Sequence, residues 1–490
     1  MRFYHIMRKR FEVQLEFGTT PIDKVEIPTK SRDELPPVLR ALQYIYSDSS
    51  LNDRVFSLLE RQVQTNKRMG RPGMSLWEIL VFACVRLTLD ADYDRLEHIA
   101  NYDNLVRALL GIPIFGDNSK RYPRQTLVDS IGLVDEETIT RIYQMVAETG
   151  HQLIEKNANL NVKVDTYVLE TNVHFPTDLN LLWDAGRKCI AIASDLYNGL
   201  QGSGWRKSEY LKKQLKAAFR NAAKLSVGAG RLKPKGQNAV LDYLSKAEKL
   251  SKKLDESQNL FQLQNTNDLL QLSKLIELQY FTDHLRKHIN LVRRRIILDE
   301  KIPHQEKVFS LFEPYTRWIK KGKAGNKVEL GLPLAVSTSQ YGFILNHKIL
   351  EKEQDVDVAV TISKELLSTW ANIDSISFDK GFWSPKNFEE LKDSVENLVI
   401  PKKGRLNKTE YQREHSSSFK ILRRQHAIIE SDINCLEHHG LNRCPDKGLP
   451  NFKRYTSIGI LAYNLHKLGN ILLAQDRLEI EKNKSYRKSA

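Results

Sequence analysis

The chain has 490 residues, 41% of them hydrophobic and 28% charged, which gives room for two or three domains and sets disorder aside as the default. Lys and Arg number 75 against 60 Asp and Glu, a net charge of +15, so the partner to expect is a polyanion, nucleic acid ahead of an anionic membrane surface. No apolar run approaches the roughly 18 residues that span a bilayer, the basic start "MRFYHIMRKRFEVQLEF" lacks a signal-peptide core, and four cysteines make no disulfide framework, so a cytoplasmic protein is expected.

Residues 1–40 carry little signal and read as an extension. In "GRPGMSLWEILVFACVRLTL" the breakers Gly and Pro precede Ser75 and Glu78, which have the spacing of a capping box, and Leu76, Ile79, Leu80, Ala83 and Leu87 follow at helical spacing. Shorter amphipathic pieces continue through Tyr93, Leu96, Ile99, Leu105 and Leu109, so residues 41–160 are expected to form an all-helical domain for DNA binding or dimerisation.

At Asn161 the texture changes to "NVKVDTYVLETNVHF", a β-rich run of strand length. Residues 178–325 return to helical spacing and read as a long insertion; within them, residues 201–250 hold 12 Lys and Arg against 3 Asp and Glu, a block suited to phosphate contact. Strands resume in "KVELGLPLAVSTSQYGFILNHKIL", a hairpin turning near Gln340 to Gly342. A helix, the strand "SISFD", a helix from Ser384, the strand "NLVIP" and a long helix from about Ser416 follow. In that last stretch His438 and His439 lie between Cys435 and Cys444, but zinc sites pair ligands more closely, and a helix end with incidental histidines is the preferred reading.

Three acids stand where acids are costly. Asp165 interrupts a strand, Asp379 ends one, and Glu430 sits beside the apolar face marked by Phe419, Leu422, Ile429, Ile433 and Leu436. Ion pairing is the plain reading of any one of them. Together, two carboxylates from strand ends and a third from a packed helix supply oxygen ligands for hard divalent cations, the equipment of phosphodiester chemistry.

The segments "VKVDTYVLETNVHFPTD", "EPYTRWIKKGKAGNKVELG", "SFDKGFWSPKNFEEL" and "RRQHAIIESDINCLEHHGLNR", in this order, resemble bacterial insertion-sequence transposases of the DDE type. The "GRPGMSLWEILVFACVRL" region resembles the helical N-terminal domain found with many of them, and the resemblance runs from about residue 68 to 470. It implies an α/β fold with a ribonuclease H-like mixed sheet and flanking helices, placed here at residues 161–177 and 326–470, with the helical insertion between and a charged tail at 471–490. It assigns Asp165, Asp379 and Glu430 as catalytic residues and metal ligands, with Mg²⁺ as cofactor and Mn²⁺ able to substitute. It further implies double-stranded DNA as partner, both terminal inverted repeats and target, strand cleavage followed by strand transfer, a homodimer in the DNA complex, and a place in the bacterial nucleoid away from any membrane.

Many relatives carry Tyr-x2-Arg-x3-Glu-x6-Lys around the third acid, whereas this chain has Arg423, His426 and Glu437 in the other three places. Arg423, Arg424 and Arg443 are the candidates to replace the missing phosphate contacts, and Glu414 and Glu437 are the rival third acids. Further DNA contacts are expected from Trp318, Lys320, Lys321 and Lys323, from Lys380 and Trp383 behind the second acid, and from Lys402, Lys403 and Arg405 in an exposed loop. A packed Trp beside a solvated Lys loop is the plain alternative for the first group. Glu170 and Asn172 belong to the motif around Asp165, but strand alternation puts Glu170 on the opposite face, so both are expected to support rather than to ligate. Two other readings stay open: an impaired transposase-derived DNA-binding protein, and a ribonuclease H-like nuclease without transposition activity.

Overall fold

The computed structural model describes residues 6–11, 19–65, 73–113, 120–199, 204–226, 233–263, 268–320 and 328–489. The chain divides into two compact units, one made of Met1–Asn172 with Ile319–Ala490, the other of Val173–Trp318.

In the first unit, β1 (Ile6–Met7) and β2 (Gln64–Thr65) pair antiparallel, and α1 (Leu35–Ser47) and α2 (Ser49–Gln62) lie between them in sequence. The capping box forms as expected: the Glu78 amide donates to Ser75 Oγ at 3.3 Å and the Ser75 amide to Glu78 Oε2 at 2.8 Å. The helix it starts, α3 (Leu76–Thr88), is buried along its whole length, as a helix apolar on every side must be. Next come α4 (Tyr93–Tyr102), α5 (Asn104–Leu109), α6 (Arg124–Ile131) and α7 (Glu136–Ile154). Asp92, Asp103 and Asp135 cap α4, α5 and α7, each accepting from the amide three residues on.

The central strand is β3 (Leu160–Thr171). It belongs to a seven-stranded mixed sheet with β4 (Arg317–Lys320), β5 (Val328–Thr338), β6 (Ile344–Ile349), β7 (Ile373–Phe378), β8 (Asn397–Val399) and β9 (Arg443–Cys444). The main path runs β4-β5-β3-β7-β8; β6 hangs on β5 and β9 on β3. Strand β3 is antiparallel to β5 and parallel to β7, and β7 is parallel to β8, which makes the sheet mixed. The expected hairpin is β5–β6, turned by the Gly342 amide donating to the Ser339 carbonyl with Gly342 at φ +79°. Leu160, Val162 and Val164 are buried on one face of β3; Lys163, on the other face with Asp165, is buried as well, the mark of a strand covered on both sides.

Helices α12 (Asp355–Thr369) and α13 (Pro385–Leu391) connect the parallel strands. After β8 come α14 (Lys408–Glu414), α15 (Ser417–His426) and α16 (Ile429–Leu436). The single long helix expected from Ser416 is therefore two helices. At the break the amides of Ala427, Ile428, Glu430 and Ser431 bond three residues back, tightening the backbone at Ala427–Ile428 and ending the α-helical run. A further turn at Glu437–Leu441, with Gly440 at φ +78°, leads through β9 to α17 (Leu449–Ser489). Helix α17 packs on α1, α3 and α7, and continues as helix through the stretch that composition marks as a charged tail.

Among the described residues of the second unit the α-helices are α8 (Asp178–Gly199), α9 (Ser208–Leu225), α10 (Pro234–Leu263) and α11 (Leu269–Val292). Its core of Leu182, Cys189, Trp205, Tyr243, Leu254, Phe281 and Leu285 is its own. Among the described residues no helix is long and apolar enough to cross a membrane.

Candidate active site

The sheet register brings the first two acids together. Strands β3 and β7 pair in parallel up to Val164 with Phe378, so Asp165 and Asp379 stand side by side one step further on, about 4.8 Å apart along the hydrogen-bonding direction. Asp379 is exposed because β7 stops at Phe378; its backbone carbonyl accepts the Phe382 amide in the turn Lys380–Phe382, whose Phe382 side chain is fully buried against Phe378. The turn is thus anchored by its aromatic residue while Lys380 stays in solvent.

Asp165 accepts the Thr166 amide at 2.7 Å. Its pKa is nevertheless pushed up to about 6, first by burial, then by the negative charges of Asp379, Asp355 and Glu430. Four carboxylates therefore share one electrostatic neighbourhood. Asp355 is the member that sequence reasoning missed. It opens α12, and a Cβ built on Gly381 would stand 2.9 Å from its Oδ2, so it lies against the turn that follows Asp379. The buried Asn387 side chain holds the two segments together, donating to the carbonyls of Val356 at 2.6 Å and Phe382 at 2.9 Å. The only sequence signal was an acid in the first turn of a helix, which normally reads as a favourable interaction with the helix dipole.

Glu430 lies in the first turn of α16 and is exposed. The rival Glu414 is buried and already engaged, accepting the Lys402 amide at 2.8 Å and pairing with Arg413 at 3.2 Å. Glu437 stands in the turn after α16, half-buried. His426, four residues before Glu430, is turned inward to Ser377 Oγ at 3.1 Å, and its Nε2 is buried without a partner. Burial lowers its pKa, against the pull of the Asp379 charge. The imidazole is therefore a packing element of β7 and α15 more than an anion contact.

Beside the acids opens a basic cleft of about 480 Å³ lined by Lys380, Lys402, Gly404, Leu406, Glu414, His415, Lys420, Arg423 and Arg424. Among the described residues, Lys380, Lys420, Arg423 and Arg424 form no ion pair, so their charge faces the opening. Lys402 differs: both oxygens of Glu410 hold its ammonium at 2.7 and 2.8 Å, over the half-buried Trp383 ring at 5.6 Å. Lys403 and Arg405 are exposed on the same loop. Lys420 and His415 were not singled out from sequence, because one lies on α15 and the other just past the end of α14, and the approach of these short helices to the loop is a tertiary matter.

The remaining expected residues lie elsewhere. Glu170 is five residues along β3 from Asp165, about 16 Å at strand rise, where it pairs with the exposed Arg443 at 3.9 Å; Asn172 is exposed beyond it. Trp318, half-buried, packs against Phe175 and Phe309 at centroid distances of 5.4 and 5.6 Å. Lys320 is exposed at the end of β4, and Lys321 and Lys323 lie outside the described residues.

Among the described residues no three His, Cys, Asp or Glu side chains close on a point as a finished metal cage. The donor set still suits a hard cation: Asp165, raised first by burial and then by the charges of Asp379, Asp355 and Glu430, is a carboxylate whose charge a divalent ion would favour. Residues 290–465 match the family model described as a transposase DDE domain. Searches of curated proteins and of solved structures gave no match.

Proposed function

We propose that this chain, a DDE-type transposase by its matched domain, binds the terminal inverted repeats of an insertion sequence and carries out metal-dependent strand cleavage and strand transfer. The observation that carries the reading is the convergence of Asp165, Asp379 and Glu430, far apart in sequence, on one electrostatic neighbourhood bordered by a basic cleft. In this reading the sheet is ribonuclease H-like and the helices before it serve DNA binding or dimerisation.

Asp165, Asp379 and Glu430 are the proposed ligands for Mg²⁺, with Asp355 as a candidate fourth carboxylate; bound there, the ion would supply Lewis-acid activation of water or a 3′ hydroxyl. The chain's own residues do the rest. The end of β7, paired with the middle of β3, sets the two carboxylates on neighbouring strands. Lys380, Lys420, Arg423 and Arg424 draw the phosphodiester backbone to the cleft, and Lys403 and Arg405 extend that positive surface. The His426 imidazole contributes no charge at neutral pH, so Arg423 and Arg424 take over the phosphate contact made in relatives by Arg. Two element ends must be joined, and a homodimer in the DNA complex follows from that requirement.

The test is nicking and joining of a DNA fragment carrying the element ends. Mg²⁺-dependent products are expected from the native chain, with Mn²⁺ substituting, and none from Asp165→Asn, Asp379→Asn or Glu430→Gln, each of which retains end binding. Retained joining by any one variant removes that acid from the set. End binding by the native chain with no nicking under either metal would favour the DNA-binding reading, which the inward-turned His426 makes the runner-up.

A further inference from the structure

We propose that Lys163 and Asp432 form a buried clamp that positions Glu430: their ion pair sets how α16 is rotated and placed along β3, and so where Glu430 stands relative to Asp165. The inference rests on the assignment of Glu430 as an active-site acid.

Both side chains are almost wholly buried, each residue 4% exposed, with Lys163 Nζ 3.3 Å from Asp432 Oδ2. The other carboxylate oxygen, Oδ1, meets the Tyr463 hydroxyl at 3.1 Å and Lys467 Nζ at 3.8 Å. Tyr463 also reaches the Gly342 carbonyl at 2.9 Å. Gly342 makes room for the group: a Cβ there would come within 3.0 Å of Lys467 Nζ and 3.1 Å of Asp432 Oδ1.

Such a pair is an uncertain source of stability, because two desolvated charges often do no better than apolar side chains of the same size. A role in fixing register accounts for it better. Helix α16 has eight residues and follows a break, so α15 does not dictate its orientation. Its apolar anchors Ile429 and Leu436 give attraction without direction. The carboxylate, held from β3 and α17, supplies direction. Its place in the sequence is also telling. Lys163 precedes Asp165 by two residues on the same face of β3, and Asp432 follows Glu430 by two residues, about 200° round the helix. With Asp432 held inward, Glu430 is turned out of the core to the side where it is exposed and within the field of Asp165.

The experiment uses the full chain with the double substitution Lys163→Met with Asp432→Leu, which removes both charges and leaves apolar side chains of similar length. Its unfolding midpoint and affinity for element-end DNA are expected to stay at native values. Turnover in nicking at saturating DNA is expected to fall about tenfold with KM for DNA unchanged, and Mn²⁺ affinity, read by electron paramagnetic resonance without DNA, to weaken. Native turnover and Mn²⁺ affinity in the double variant overturn the clamp, provided Glu430→Gln is inactive alongside it. Native turnover in Glu430→Gln itself instead removes the active-site assignment on which the clamp rests. Should the double variant not fold, Tyr463→Phe carries the test by removing one hydroxyl bonded to Asp432. Reduced turnover at unchanged KM supports the clamp, and native turnover overturns it.

Discussion

At the scale of single residues, the acidic centre is a place where like charges are held together at a cost. Asp165 is the most affected, half-buried and within the field of three other carboxylates. Asp165→Asn should therefore stabilise the chain without divalent metal at pH 7.5, by about 1–2 kcal/mol once solvent screening is allowed for, measured by urea denaturation. The same substitution should abolish nicking. An ordinary ion-paired acid would behave in the opposite way and lose stability. Asp355→Asn tests the fourth carboxylate. If it belongs to the centre, Mn²⁺ affinity should fall several-fold with folding intact; unchanged affinity would reduce Asp355 to the start of α12. Asp165 and Asp379 were legible as acids at costly strand positions. Asp355, Lys163 and Asp432 were not, because a first-turn acid, a strand Lys and a helix Asp each have ordinary local explanations.

At the scale of elements, the decisive pieces are short. The loop after β8 and helices α14 and α15 build the basic cleft, and the break at Ala427–Ile428 frees α16 to take its own direction. Helical periodicity carried across the break placed Glu430 beside the apolar face; the tightened turn resets that phase, and Glu430 is exposed. A periodic pattern cannot reveal a turn that keeps apolar residues on both sides of it. The cleft makes a separable prediction. Replacing Lys420, Arg423 and Arg424 together by Ala should weaken DNA binding and flatten its dependence on log salt by roughly 0.9 for each phosphate that is no longer neutralised. Lys402→Ala should do less to binding and more to the loop, since Glu410 already neutralises that ammonium. Equal salt slopes for the native and triple-substituted chains would exclude the cleft as the place where the DNA backbone binds.

At the scale of the whole molecule, buried histidines make folding sensitive to acid. Burial lowers His288 to about 4, His151 to about 4 and His439 to about 3, against about 6.5 in an unfolded chain. Between those values the unfolded chain binds protons that the folded chain refuses, so stability rises with pH across that window and is lost as pH falls from about 6.5 toward 4. Thermal midpoints should be level above pH 7 and drop steadily below 6.5, and His288→Leu should shallow the drop; a midpoint unchanged down to pH 5 would contradict this.

The sequence by itself determined what depends on local patterns: the capped start of α3, the strand texture of β3, the hairpin at Gly342, the helices that lie between residues 178 and 292, though not the strand β4 at Arg317–Lys320 that the expected helical stretch to residue 325 includes, and two acids at costly strand positions. Those signals are periodicity, capping and turn chemistry, and each is complete within some twenty residues. Only the tertiary structure decided which strands are neighbours, and hence that Asp165 and Asp379 meet although they are 214 positions apart in the chain. It also decided that Asp355 faces them, that Lys402 is neutralised while Lys420 is open, and that α16 hangs on a buried ion pair. Those facts turn on sheet order and on a helix break set by the surrounding packing, and neither leaves a periodic trace in the chain.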